Sequence, residues 1–266
     1  METQMQKTKI SVEHRGHLLL IGLDRPEKRN AFDLEMLDQL ALAYAELEDN
    51  DEVRCGVLFA KGEMFTAGLD LANVAPAVLH SGVLEYPDGA IDPLNIYGDR
   101  VRTKPLVVAV HGKCLTIGIE LLLAADIRIS SENAIFAQIE IKRGIFPFGG
   151  ATLRMPALTG WGNAMRWLLT GDEFDAHEAF RIGLVQEVTE DAKQLDRALE
   201  IAETISRQAP LGVRATIESA RLAQNEGFAV AARALTPQIL RLFASTDAKE
   251  GVQSFLERRD GDFKGR

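Results

Sequence analysis

The sequence is poor in the residue types that build metal centres, disulfide frameworks and membrane spans. Cys55 and Cys114 are its only cysteines in 266 residues. Both fall in apolar, strand-like contexts, which excludes a disulfide framework and a cysteine metal cluster and points to a reducing compartment. The five histidines (His14, His17, His80, His111 and His177) show no ligand spacing, so no metal site is expected. His111, between a strand-like run and Gly112, reads as structural. No apolar run approaches the roughly 20 residues of a membrane span, and residues 1–7 lack the apolar centre of a secretory signal. Positive charge is in deficit: 30 Lys and Arg against 39 Asp and Glu give a net charge of −9 and a pI near 5.2. That balance argues against a nucleic-acid or anionic-membrane partner and leaves room for a small anionic ligand held by a local basic patch. No P-loop, Gly-x-Gly-x-x-Gly fingerprint or Gly-x-Ser-x-Gly elbow is present. These absences describe a soluble cytoplasmic protein without a metal.

What is present is an ordinary globular composition, 46% hydrophobic and 26% charged, long enough for a sizeable core. Residues 12–23 read as a pair of strands around Arg15-Gly16. Leu34, Leu37, Leu40, Ala41, Tyr44 and Leu47 recur at helical spacing, with Glu35, Asp38 and Glu48 off that stripe. Residues 53–60 read as a buried strand, followed by a glycine-marked turn from Gly62 to Leu71 that leads into a helix. Residues 75–100 lose periodicity and collect Pro76, Pro87, Pro93, Gly82, Gly89 and Gly98, the pattern of a mobile loop over a site. A strand (105–110), a second glycine turn (112–118), a helix (119–125) and strands at 126–130 and 134–139 follow. This repeating order predicts an α/β fold with its ligand site at the carboxyl ends of the strands. From Pro156 the chain turns helical, apart from a short strand at 184–188. We expect a core unit over 1–205 and a helical region over 206–266.

Three features carry chemistry. The turn from Gly112 to Gly118 aims orphan helix-start N–H groups at one spot, with Glu120 in the first turn behind them. The turn around Gly68 offers a second such donor, and two donors make an oxyanion hole. Glu140 ends another apolar segment, so Glu120 and Glu140 form a candidate acid/base pair. Each feature alone has a plain reading: glycine turns are common in α/β folds, Asp70 suits a helix cap, and most glutamates reach solvent.

Together the segments resemble the crotonase superfamily, the enoyl-CoA hydratase/isomerase family, from about residue 10 to the C-terminus. The resemblance rests on residues 25–31 (RPEKRNA), 62–71 (GEMFTAGLDL), 104–120, 124–126, 136–140 and 144–147. Gly171, Glu178-Ala179, Gly183-Leu184-Val185 and the tail from Phe255 to Arg259 with Phe263 extend it. It implies a crotonase-like spiral of ββα units with a C-terminal helical trimerisation region, as a homotrimer or homohexamer. It also implies a coenzyme A thioester substrate and no separate cofactor. By position, the oxyanion donors are the N–H groups of Leu69 and Ile117. Lys28, Ala67, Gly68 and, from a neighbouring tail, Arg258 would meet the CoA.

Retention of both Glu120 and Glu140 favours hydration of a 2-enoyl-CoA over double-bond isomerisation, other thioester hydrolase or lyase chemistry, or CoA binding without turnover. The chain departs from the family pattern at two places, one at Thr116-Ile117 and one at Phe148. Thr116-Ile117 stands where the family carries a glycine run. Phe148 follows Pro147 where hydratases have glycine, which places it at the acyl pocket.

Overall fold

The computed structural model describes residues 8–98 and 100–266; the reading of residues 1–7 as lacking a secretory signal lies outside them. The chain opens with β1 (Ile10–Arg15) and β2 (Leu18–Leu23), a hairpin turned at Gly16, where φ is +57°. Then follow α1 (Leu34–Asp49), β3 (Cys55–Ala60), α2 (Leu71–Ser81), β4 (Leu106–Val110), β5 (Lys113–Leu115) and α3 (Ile117–Ala124). Next come β6 (Ile127–Ser131), β7 (Ile135–Ala137), α4 (Ala151–Thr159), α5 (Trp161–Thr170), β8 (Phe174–Asp175), α6 (Ala176–Arg181) and β9 (Glu187–Thr189). Four helices close the chain: α7 (Gln194–Ser206), α8 (Pro210–Glu226), α9 (Phe228–Phe243) and α10 (Thr246–Glu257).

Six strands form one sheet in the order β1-β2-β3-β4-β6-β9, antiparallel at β1-β2 and parallel elsewhere. Strands β2, β3 and β4 are apolar throughout because helices cover both faces of the sheet. Alternation then sorts their side chains. Leu18, Leu20, Val57, Val107 and Ile129 pack with Ala198 and Ala202 of α7. Leu19, Ile21, Leu58, Val108 and Val110 face the larger core with α1 and α3. A second sheet, β5-β7-β8, stacks alongside. Its parallel β5–β7 pair places the chain just after Leu115 beside the chain just after Ala137, and so places the Glu120 helix beside the Glu140 segment.

Several boundaries differ from the sequence reading. The segment from residue 75 is helical to Ser81, because α2 carries Pro76 inside it and stops only at Gly82 in the left-handed region. The expected strand at 184–188 lies at 187–189, since Leu184 and Val185 turn into the core instead. Helix α4 begins at Ala151, ahead of Pro156.

Candidate active site

The first turn is built on side chains that leave one amide free. Thr66, fully buried, donates its hydroxyl to Asn30 O at 2.7 Å and accepts from Gly68 N at 3.0 Å. Asn30 in turn donates to the carbonyls of Lys61 and Met64, both at 2.9 Å. Gly68 O accepts from Phe32 N at 2.9 Å. A trans peptide points its N–H opposite its C=O, so the Leu69 N–H faces away from Phe32. Gly68 itself has φ +107°, a conformation that suits glycine.

The second turn repeats this logic. Thr116 N donates to Ala137 O at 3.0 Å, and Thr116 O accepts from Ile119 N at 2.9 Å. With that carbonyl engaged, the Ile117 N–H points the other way, at the start of α3 and with the helix dipole behind it. Ile117 is buried, and its bulk leaves the backbone donor intact. Among the described residues neither Leu69 N nor Ile117 N donates to another group of the chain.

The two turns touch. Thr66 N donates to Lys113 O at 3.0 Å and Leu115 N to Thr66 O at 3.1 Å. A side chain on Gly68 would run into Thr116 Oγ1, and one on Gly118 would meet Thr66 Cγ2 at 2.6 Å. Thr116 holds φ +51°, ψ −114°, a region that favours glycine. Such a residue stores on the order of 1–3 kcal/mol and persists only where its neighbours fix it.

Both glutamates are buried, Glu120 3% exposed and Glu140 7%. Glu120 Oε1 accepts from Ala151 N at 3.3 Å, at the start of α4, and a side chain on Gly149 would strike Glu120 Oε2. Burial pushes the Glu120 carboxyl up to about 7, against the pull of the Ala151 and Gly149 amides and the Arg154 guanidinium. Burial also pushes Glu140 up to about 7, and the nearby Glu120 charge adds to it. Glu140 opens a single 3-10 turn, Glu140–Arg143.

Sequence reasoning missed Gln138. It is fully buried, and with its amide nitrogen turned toward them it donates to Thr116 O at 3.2 Å and to the two Glu140 oxygens at 3.0 and 3.1 Å. Gln138 therefore links the second turn to the Glu140 carboxylate. The available signal was a polar residue in an otherwise apolar run, two positions before Glu140.

The expected CoA-binding residues divide into two groups. Ala67 N donates to Arg29 O at 2.9 Å, which sets Ala67 and Gly68 beside the exposed Lys28 loop. Arg258 is exposed at the end of α10, and among the described residues no hydrogen bond or ion pair joins it to that loop. Phe148 is half-buried against the main core, one residue before Gly149. Asp70 stands at the start of α2, yet its side chain makes no capping bond and instead faces Arg25 at 3.9 Å. No cluster of three metal-ligating side chains occurs among the described residues.

Two touching glycine-marked turns, each with an unengaged N–H group, beside a buried glutamate pair on mixed strands and helices are the arrangement expected of the crotonase fold. The family model for enoyl-CoA hydratase/isomerase matches residues 13–266. An enoyl-CoA hydratase of Mycobacterium tuberculosis is 35% identical over 263 residues, covering 96% of each chain. A carnitinyl-CoA dehydratase of Salmonella paratyphi A is 33% identical, covering 97% of this chain and 98% of its own. A crystal structure from Mycobacterium abscessus, described as a probable enoyl-CoA hydratase/isomerase, superposes with a TM-score of 0.94 at 55% identity, covering 97% of this chain and 99% of the other. The protein belongs to the enoyl-CoA hydratase/isomerase family. The expected crotonase-like fold, with its helical C-terminal region, is borne out.

Proposed function

We propose that the protein adds water across the 2,3 double bond of an acyl-CoA thioester. The observation that carries this reading is the pair of buried glutamates, both held near 7, beside two free backbone donors. In this scheme the N–H groups of Leu69 and Ile117 hold the thioester oxygen. The Glu120 carboxylate takes a proton from water, and the hydroxyl oxygen bonds to C3. The double-bond electrons move to C2 and the thioester oxygen as an enolate, which the two donors stabilise. Protonated Glu140 then gives its proton to C2, and proton exchange resets the pair.

One ionised and one protonated carboxyl is the state this scheme needs, and mutual repulsion of two close carboxylates favours it near neutral pH. Every catalytic group belongs to the protein, so the reading requires no cofactor. Lys28, Ala67 and Gly68 would meet the CoA, with Arg258 supplied by a neighbouring subunit of a trimer or hexamer. Phe148 would line the acyl end. Both cysteines are free and buried, which suits a cytoplasmic enzyme.

The test is a panel of 2-enoyl-CoA thioesters of increasing chain length, followed by loss of the conjugated absorbance. Turnover on at least one member is expected, and Glu140→Gln should abolish it. Absence of turnover across the panel would remove hydration as the function.

A further inference from the structure

Residues 92–97 pack against the start of α4 beside Glu120, and they are held there through both sides of their own backbone. The buried Asp92 carboxylate accepts from the N–H groups of Leu94 at 2.9 Å, Ile96 at 2.8 Å and Tyr97 at 2.9 Å. The Arg154 guanidinium donates to the carbonyls of Leu94 at 2.7 Å and Asn95 at 2.8 Å. Arg154 sits in the first turn of α4, and the residues that lead into that helix also cradle Glu120. Leu94 Cδ1 lies 2.9 Å from the point where a Cβ on Gly149 would stand, and Glu120 Oε2 abuts the same point. Ile96 Cδ1 lies 2.9 Å from the corresponding point on Gly150. The Leu94 methyl group and the Glu120 carboxyl therefore crowd one side of Gly149, and Leu94 is 2% exposed.

We propose that Arg154 is a positioning residue: by bridging the Leu94 and Asn95 carbonyls it seats Leu94 as an apolar cover on the Glu120 carboxyl and sets how far water reaches that acid. The inference rests on Glu120 being a member of the acid/base pair. The groups facing Glu120 are Glu140, the Arg154 guanidinium and the amides of Gly149 and Ala151. Arg154 in turn faces Asp92, with Arg221 and Arg102 near it. Its positive charge favours the Glu120 carboxylate, while the cover it seats disfavours it. Lysine keeps the charge but, as a single compact ammonium, cannot span two carbonyls as the planar fork does. Arg154→Lys thus separates the two effects.

The experiment is a pH titration of the substrate-free, full-length protein carrying 13C-labelled glutamate, with the Glu120 signal assigned by its loss in Glu120→Gln. Arg154→Lys and Leu94→Ala should each lower the Glu120 midpoint by about one pH unit. The acid limb of kcat/KM should move the same way. Leu94→Met, which keeps the cover, should leave the midpoint in place. Unmoved midpoints in both Arg154→Lys and Leu94→Ala overturn the inference, and either variant alone decides it if the other does not fold. Because the titration needs no substrate, unmoved midpoints in an active enzyme refute this role alone. A shifted midpoint in a protein that hydrates nothing refutes the proposed function alone.

Discussion

Glu120 and Glu140, the proposed acid/base pair, also shape how the stability of the protein depends on pH. Both carboxyls sit near 7 in the fold against an ordinary value of 4.5, so the folded state binds more protons than the unfolded chain between those limits. Their contribution to stability is full below about pH 4.5 and is lost as pH rises through about 7. Glu120→Gln should therefore stabilise the protein at about pH 8 by up to ~3 kcal/mol and give no gain at about pH 4, read from urea unfolding at the two pH values. The same variant should lose roughly 10²–10⁴ in kcat. Wild-type kcat/KM should show a bell whose limbs belong to the coupled pair. Both glutamates were visible in the sequence as charges inside apolar runs. Gln138 was not, because it needs its fold partners to become a link; Thr116 showed only as a departure from a glycine run, and its positive φ became visible in the fold.

The elements position these groups by contact between glycine backbone and side chains. Gly149 leaves room for the Glu120 carboxyl on one side and Leu94 beside it. Gly149→Ala should displace the carboxyl and cut kcat by about 10²-fold, with KM for the CoA thioester little changed, because Lys28, Ala67 and Gly68, the residues proposed to meet the CoA, lie on other segments. Steady-state kinetics on one enoyl-CoA checks this. Helix α1 was legible from its stripe, and Asp33 caps it by accepting from Met36 N at 3.0 Å. Helix α2 was not, because its Pro76 and the glycines that follow carry the marks of a loop. Strand β5 was hidden inside a glycine-rich turn; its partner β7 lies some twenty residues on, and no local pattern shows that pairing. Residues 75–100 read as a mobile loop over a site, and their stretch 92–97 is where the fold answers that reading. It does pack beside Glu120, but Asp92 and Arg154 pin it.

At the scale of the molecule, charged groups join α8 to α1 and to the segments that lead into β4 and β6. Glu48 accepts from the Thr103 hydroxyl at 2.5 Å, Thr103 N at 2.7 Å and Lys104 N at 3.2 Å, and it pairs with Arg214 at 2.9 Å. These partners, the hydroxyl first, hold its carboxyl below the usual range against burial. Asp126 binds Arg102 at 2.7 Å and Arg221 at 3.1 Å. Glu48→Ala leaves the Thr103 and Lys104 amides unpaired and should cost about 3 kcal/mol in chemical denaturation. The outer faces of α9 and α10 expose Phe228, Leu240, Phe243, Val252, Phe255 and Leu256, more apolar surface than a monomer usually leaves bare. We propose that these faces meet other copies of the chain. Sedimentation should then give a trimer, or twice that, of the 29.2 kDa chain, and Leu240→Asp should shift it toward monomer. The resemblance named the C-terminal helical region as the assembling part, but not the faces through which it would assemble. Exposure is a property of the packed helices, and helical spacing alone does not show which apolar stripe stays uncovered.

The central claim is that water and a proton are added to one substrate by one glutamate pair. It is tested most directly by running the reaction with a 2-enoyl-CoA in deuterated, 18O-enriched water and reading the product by mass spectrometry. The account predicts a 3-hydroxyacyl-CoA carrying one 18O at C3 and one deuterium at C2, with neither label incorporated by Glu140→Gln. Deuterium at C2 without oxygen at C3 would contradict it, because the same donors and Glu140 would then be exchanging a proton without adding water.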